Sequence, residues 1–186
     1  MAVRNILRMG HPLLRQRSRE LSKEEILSDW FKSLIFDMTE TMHATNGVGI
    51  AAPQIGEMVR VSVVEFANEN ARYPEMGEQT LTVFVNPVLK MTNLSEQSFW
   101  EGCLSVPDLR GLVSRPSGVF AEFLDEKATK KTLQADGFLA TVLQHEFDHL
   151  DGILYVDRLR DTTRLSFVDE YKQFWAPQSL HKELPD

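Results

Sequence analysis

Apolar residues recur every three or four positions from Leu27 to Met42, at Leu27, Trp30, Phe31, Leu34, Ile35, Met38 and Met42. That period predicts one amphipathic helix, and Ser22 with Glu25 supplies a capping box for its start. The helix must stop near Asn46-Gly47. The runs Val59 to Phe66 and Leu81 to Val85 are dense in β-branched and aromatic residues and read as strands, joined by a polar loop over 68–79. Val119 to Leu124 and Lys131 to Ala135 predict a hairpin turning around Asp125-Glu126-Lys127. Helical spacing returns at Phe138, Val142, His145 and His149, with Gly152 placed to end that helix. A last stripe, Phe167, Val168, Tyr171, Phe174 and Trp175, predicts an amphipathic C-terminal helix. Strand runs cluster and do not alternate one-for-one with helices. The expected fold is therefore α+β, with mixed or antiparallel strands around a central helix and amphipathic helices at both ends.

With 186 residues, one domain over 1–176 followed by a polar tail over 177–186 is expected. The chain carries 20 basic and 27 acidic side chains, a formal charge of −7, which argues against DNA or a general nucleic-acid surface as partner. No apolar run approaches the ~20 residues of a membrane span. A lone cysteine fits a reducing compartment. The first nineteen residues hold Arg4, Arg8, Arg15, Arg17 and Arg19 and no acid, as a transit leader would. Pro12 and the scarcity of serine oppose that reading, and the lack of an apolar stretch opposes a secretory signal. A cytoplasmic location is the expectation.

Candidate chemistry centres on His145-Glu146-Phe147-Asp148-His149. On a helix, residues four apart lie on one face, so both imidazoles can ligate one ion, and Glu146 is placed to take a proton from a water beside it. A hydrolytic ion usually has three protein ligands. Downstream, only His181 in the polar tail remains, and Tyr155 stands where the extended H-E-x-x-H-x-x-G-x-x-H pattern needs a histidine. Upstream lies Cys103, in Glu101-Gly102-Cys103-Leu104-Ser105-Val106-Pro107. As core filler it would be a small hydrophobe; as a thiolate it would complete a Cys-His-His set with a fourth position open. Gly102 relaxes the backbone before it and Pro107 stops the segment soon after. Gly47 to Gln54 lacks the lysine of phosphate loops, so its two glycines point to close backbone approach by some other ligand. An H-E-x-x-H endopeptidase and a non-catalytic metal module remain alternatives. The first wants a downstream ligand and the second leaves Glu146 and Gln54 unexplained.

Gly47-Val48-Gly49-Ile50-Ala51-Ala52-Pro53-Gln54, Glu101-Gly102-Cys103-Leu104-Ser105 and Gln144-His145-Glu146-Phe147-Asp148-His149 resemble, in order and spacing, the three signature motifs of peptide deformylase. Ile6-Leu7 through Pro12-Leu13-Leu14-Arg15 resembles that family's start, and the resemblance covers residues 3 to 175. It implies an α+β metal-dependent hydrolase that takes the N-formyl group off the N-terminal methionine of nascent polypeptides, releasing formate during protein biosynthesis. Cys103, His145 and His149 would hold the metal, with Fe²⁺ as the physiological ion and Zn²⁺, Ni²⁺ or Co²⁺ compatible with the same donors. Glu146 would be the acid–base, and the Gln54 side chain with the Leu104 backbone N–H would stabilise the oxyanion. Val48, Gly49, Phe99, Phe138, Thr141 and Val142 would bind the substrate, with His145 at the base of the pocket and Arg110 near the peptide's exit path. Thr141 departs from the aliphatic residue often found there. Glu101 and Arg115 would form a supporting ion pair holding the Cys103 loop. Formyl-methionyl chains are the implied partners, and the sequence leaves a transient ribosome contact by the C-terminal helix open.

Overall fold

The computed structural model describes residues 3–66 and 78–176. The expected loop over 68–79 falls almost wholly outside them, as does the polar tail.

The predicted first helix is two. Helix α1 (Lys23–Ile26) has the expected capping box, with Glu25 N–H donating to Ser22 Oγ at 3.2 Å and Ser22 N–H to Glu25 Oε2 at 2.8 Å. Helix α2 (Asp29–Ala44) restarts after Ser28, whose hydroxyl caps Phe31 N–H at 3.2 Å and donates to Glu25 O at 2.7 Å. A second cap inside an apolar stripe breaks the helix, and Leu27 and Trp30 are left exposed. Phe31, Leu34, Met38 and Met42 carry the buried face.

The sheet runs β1 (Gly49–Ala51), β2 (Val61–Phe66), β3 (Gln79–Cys103), β4 (Val106–Leu124) and β5 (Lys130–Asp136) in sequential order, all antiparallel, with β6 (Leu165–Phe167) added to β4. The predicted hairpin is β4–β5, in register from Gly118↔Asp136 to Leu124↔Lys130. Strand β3 is far longer than Leu81 to Val85 suggests. Its middle, from Lys90 to Ser98, is polar and largely exposed, and cross-strand pairing with β4 rather than a buried face makes it a strand. Its far end puts Cys103 at the hairpin turn.

Helix α3 (Gly137–Leu150) and α2 pack on opposite faces of β2, which is why β2 is buried on both. Val61 and Val63 meet Met38 and Met42, while Val64 and Phe84 of β3 meet Leu143, Phe147 and Leu150. As expected, Gly152 ends α3. Its φ is +74°, its N–H bonds to His149 O at 3.2 Å, and the Ile153 N–H reaches Asp148 O at 3.0 Å, a Schellman cap.

The C-terminal stripe is corrected. Phe167 belongs to β6, paired with Leu109, and is 64% exposed. Beyond the short helix α4 (Val168–Glu170), Tyr171–Trp175 winds as a wider π-helical turn, so Tyr171 and Trp175 face Trp100 at ring-centroid distances of 5.1 and 5.5 Å while Phe174 turns outward.

A Cβ at Gly152 would sit 2.7 Å from the Arg15 carbonyl carbon, in a left-handed conformation. Gly152→Ala is expected to lose at least about 1–3 kcal/mol, read as a lower urea midpoint at unchanged slope. An unchanged midpoint would show that the end of α3 is not pinned there.

Candidate active site and metal centre

Helix α3 presents His145 and His149 on its buried face, 9% and 1% exposed, and β3 delivers Cys103, 8% exposed, opposite them. One ligand atom from each of the three lies within 4.8 Å of the others, and Cys103 Sγ stands 3.2 Å from His149 Nε2. His145 Nδ1 is 2.7 Å from Glu101 Oε2, which leaves its Nε2 for the cluster. Burial holds His145 down, yet bonds to Cys103 and Glu101 lift its pKa well above the ordinary value; burial pushes His149 well below it. His149 is thus kept neutral, with a lone pair to offer a metal, and Glu101 holds His145 from the ring edge opposite the cluster. Two imidazoles and a thiol converging on one spot fit a soft or borderline divalent metal.

Glu146 points into the same space. It is 4% exposed, its Oε2 has no hydrogen-bond partner among the described residues, and burial pushes its carboxyl up to about 7. A carboxyl held near neutrality can both take and return a proton. Gln54 enters from the other side, in the 3₁₀ turn Ala52–Ile55. Ala51 N–H donates to Gln54 Oε1 at 2.8 Å, which fixes the orientation of the side-chain amide. Its NH₂ then faces Ser105 Oγ at 3.2 Å and Cys103 Sγ at 3.5 Å.

Two glycines act through missing volume. A Cβ on Gly49 would lie 2.6 Å from Glu146 Oε1, so β1 packs directly on that carboxylate. At Gly102 a Cβ would fall 1.8 Å from Arg110 Nη1: the guanidinium lies across the glycine, and this space, not the relaxed backbone expected from sequence, is its use.

The cleft in front of the cluster has a volume of about 910 Å³. All seven sequence-predicted substrate residues, Val48, Gly49, Phe99, Arg110, Phe138, Thr141 and Val142, line it, as do Gln54, Leu104, His145 and Glu146. His149 closes the cluster from behind. Glu101 and Arg115 are paired as expected, with Arg115 Nε and Nη2 at 2.6 and 3.1 Å from the carboxylate. Glu101 also grips His145, so the pair orients a ligand as well as the loop. Sequence reasoning missed Asp148, which ties Arg115 at 2.9 Å to Arg158 at 2.6 Å, although it sits inside the histidine motif. It also missed Phe66, whose ring meets Phe138 edge-on at 5.6 Å as Phe99 does at 5.7 Å. Phe66 carried no signal beyond its place in a strand. His43 and Glu65, 2.5 Å apart, close one rim.

A paired-histidine helix, an upstream thiol and an unpartnered glutamate at an apolar cleft mark a metal-dependent hydrolase. The profile described as Polypeptide deformylase matches residues 3–165. Peptide deformylase of Leptospira biflexa serovar Patoc is 45% identical over 170 residues, 91% of this chain and 95% of that one. Peptide deformylase 1 of Prochlorococcus marinus (strain MIT 9313) is 44% identical, covering 91% and 88%. Among solved structures, the Met-Ala-Ser-bound class I type b peptide deformylase of Acinetobacter baumannii superposes with a TM-score of 0.81 at 38% identity, over 85% of this chain and 99% of that one. The chain belongs to the peptide deformylase family. It is an enzyme that removes the N-formyl group from nascent chains. Membership of that family decides against both the endopeptidase and the non-catalytic module.

Gly49→Ala should displace Glu146 without touching the cluster. Turnover is expected to fall by about 10² or more, the weight of a positioned acid–base, with metal content unchanged by elemental analysis. Full activity in this variant would mean that Glu146 does not need its place against β1.

Proposed function

We propose that Cys103, His145 and His149 hold a single Fe²⁺ ion, which Zn²⁺, Ni²⁺ or Co²⁺ can replace in a purified sample. The observation that carries this reading is the convergence of the three ligand atoms beside the unpartnered Glu146 carboxyl. When bound, the ion supplies Lewis-acid polarisation and acidifies water.

The chain's own groups do the rest. Glu146 accepts the attacking water's proton and returns it to the leaving amine, work suited to a carboxyl pushed up to about 7. The Gln54 NH₂ and the Leu104 N–H donate to the oxyanion of the tetrahedral intermediate, each worth about 2.7–4 kcal/mol of barrier. Gln54 is preorganised for this because Ala51 already holds its carbonyl end. Val48, Phe99, Phe138, Thr141 and Val142 wall the methionine pocket, Gly49 lets the substrate backbone approach, and Arg110 faces the emerging peptide. Glu101 and Arg115 keep His145 and the hairpin in register. The A. baumannii relative binds Met-Ala-Ser, the product that formyl-Met-Ala-Ser would leave here. Residues 1–176 form one metallohydrolase domain with a polar tail over 177–186, acting in the cytoplasm with transient ribosome contact by the C-terminal helix. The lone buried thiol favours that compartment, and among the described residues no helix is long and apolar enough to cross a membrane.

Anaerobically prepared, metal-loaded protein should release formate from formyl-Met-Ala-Ser and leave an internal-amide peptide intact. Glu146→Gln should retain the metal and lose about 10²–10⁴ in kcat. Metal loss in that variant would instead make Glu146 a ligand. Cys103 should resist alkylation until a chelator removes the ion, and Cys103→Ser should lose metal and activity together. Equal alkylation with and without metal, and a serine variant with stoichiometric metal, would remove Cys103 from the site.

A further inference from the structure

Thr141 places a hydroxyl in a wall that otherwise suits an apolar side chain. It is 2% exposed, lines the cleft and stands one helical turn before His145 on α3. A hydroxyl turned toward the methionine chain would lose its water on binding and gain no partner, at a cost to affinity. The structure shows where that hydroxyl goes. Thr141 Oγ1 accepts a hydrogen bond from Gln97 Nε2 at 3.0 Å, and the same nitrogen donates to Gly137 O at 2.5 Å. The two acceptors are four residues apart on the first turn of α3, so one amide spans that turn.

Gln97 and Phe99 share a face of β3, since side chains alternate along a strand. Phe99 reaches the cleft, whereas Gln97 stands behind the wall, against the start of α3. A β-branched side chain has few χ1 wells. With Oγ1 tied back to Gln97, the branch that Thr141 leaves for the cleft is its methyl group.

We propose that Gln97 is a positioning residue for substrate selection. It holds the Thr141 hydroxyl out of the cleft and clamps the first turn of α3. Thr141 thereby acts as an aliphatic wall that accepts the unbranched thioether chain of formyl-methionine and rejects its polar equivalent, the methionine sulfoxide. Gln97 touches neither substrate nor reacting atoms. Its influence runs through Thr141, and through Gly137 to the neighbouring Phe138 ring. The inference rests on the reading of the cleft as the methionine pocket.

The test compares kcat/KM for formyl-Met-Ala-Ser with that for its sulfoxide in four proteins: wild type, Gln97→Met, Thr141→Val and the double variant. Methionine keeps the volume of Gln97 and removes both donors, so no cavity is opened. Wild type should prefer the thioether strongly. Gln97→Met should lower that preference by about tenfold, by admitting the sulfoxide and by raising KM more than it changes kcat for the thioether. Thr141→Val should keep the preference, and adding Gln97→Met to it should no longer lower it. A Gln97→Met variant with unaltered preference would overturn the proposal. So would an equal loss of preference in the valine background, which would assign the effect to Gly137 alone. Absence of formate release by the wild-type enzyme from either peptide would remove the functional reading beneath it.

Discussion

One buried carboxylate joins the two halves of the active site. Glu101 accepts from Arg115 at 2.6 and 3.1 Å and meets His145 Nδ1 at 2.7 Å. The hairpin that carries Cys103 and the helix that carries both histidines are thereby held at one separation. Burial raises the pKa of Glu101, and its bonds to His145 and Arg115 more than offset this, so the charged form prevails. Such a group is stabilising only while every partner stays in place, since removing one strands a buried charge at a cost of about 3–5 kcal/mol. Asp148 and Arg158 extend the same chain of charges to the surface, so the C-terminal half of α3 is held at two residues, His145 and Asp148.

Around this frame the site is shaped as much by missing atoms as by present ones. Gly49 lets β1 lie on the Glu146 carboxylate, and Gly102 lets the Arg110 guanidinium lie across the residue before the thiol. Neither glycine has a left-handed backbone, so each serves close approach and not turning. The desolvation that lifts Glu146 to about 7 is partly a product of that packing. The raised pKa of Glu146 and its contact with the β1 backbone are therefore two results of one packing arrangement.

Departures from the sequence pattern share a cause. Periodicity records which residues are apolar, not which partner buries them. Leu27 and Trp30 fit the helical stripe of Phe31 and Met38, but Ser28 caps a new helix between them and they stay exposed. Phe167 fits the C-terminal stripe and is drawn into β6 by pairing with Leu109. The polar middle of β3 has no alternation to detect and becomes a strand only because β4 lies beside it. Phe66 looks like any strand residue until its ring meets Phe138.

The sequence by itself determined the metal-binding residue types, the helical phase that puts His145 and His149 on one face, the caps at Ser22 and Gly152, and the family. These rest on local spacing, on backbone conformations only certain residues adopt, and on motif order, all of which are properties of the chain read in line. Tertiary structure decided the distance at which the expected Cys103 meets the histidines, and it alone decided that Glu101 reaches His145 and that Gln97 reaches Thr141. These contacts join residues 44 to 46 positions apart, and their distances are set by how a bulged hairpin packs across a helix. No local pattern encodes that separation, because it is the sum of many packing contacts.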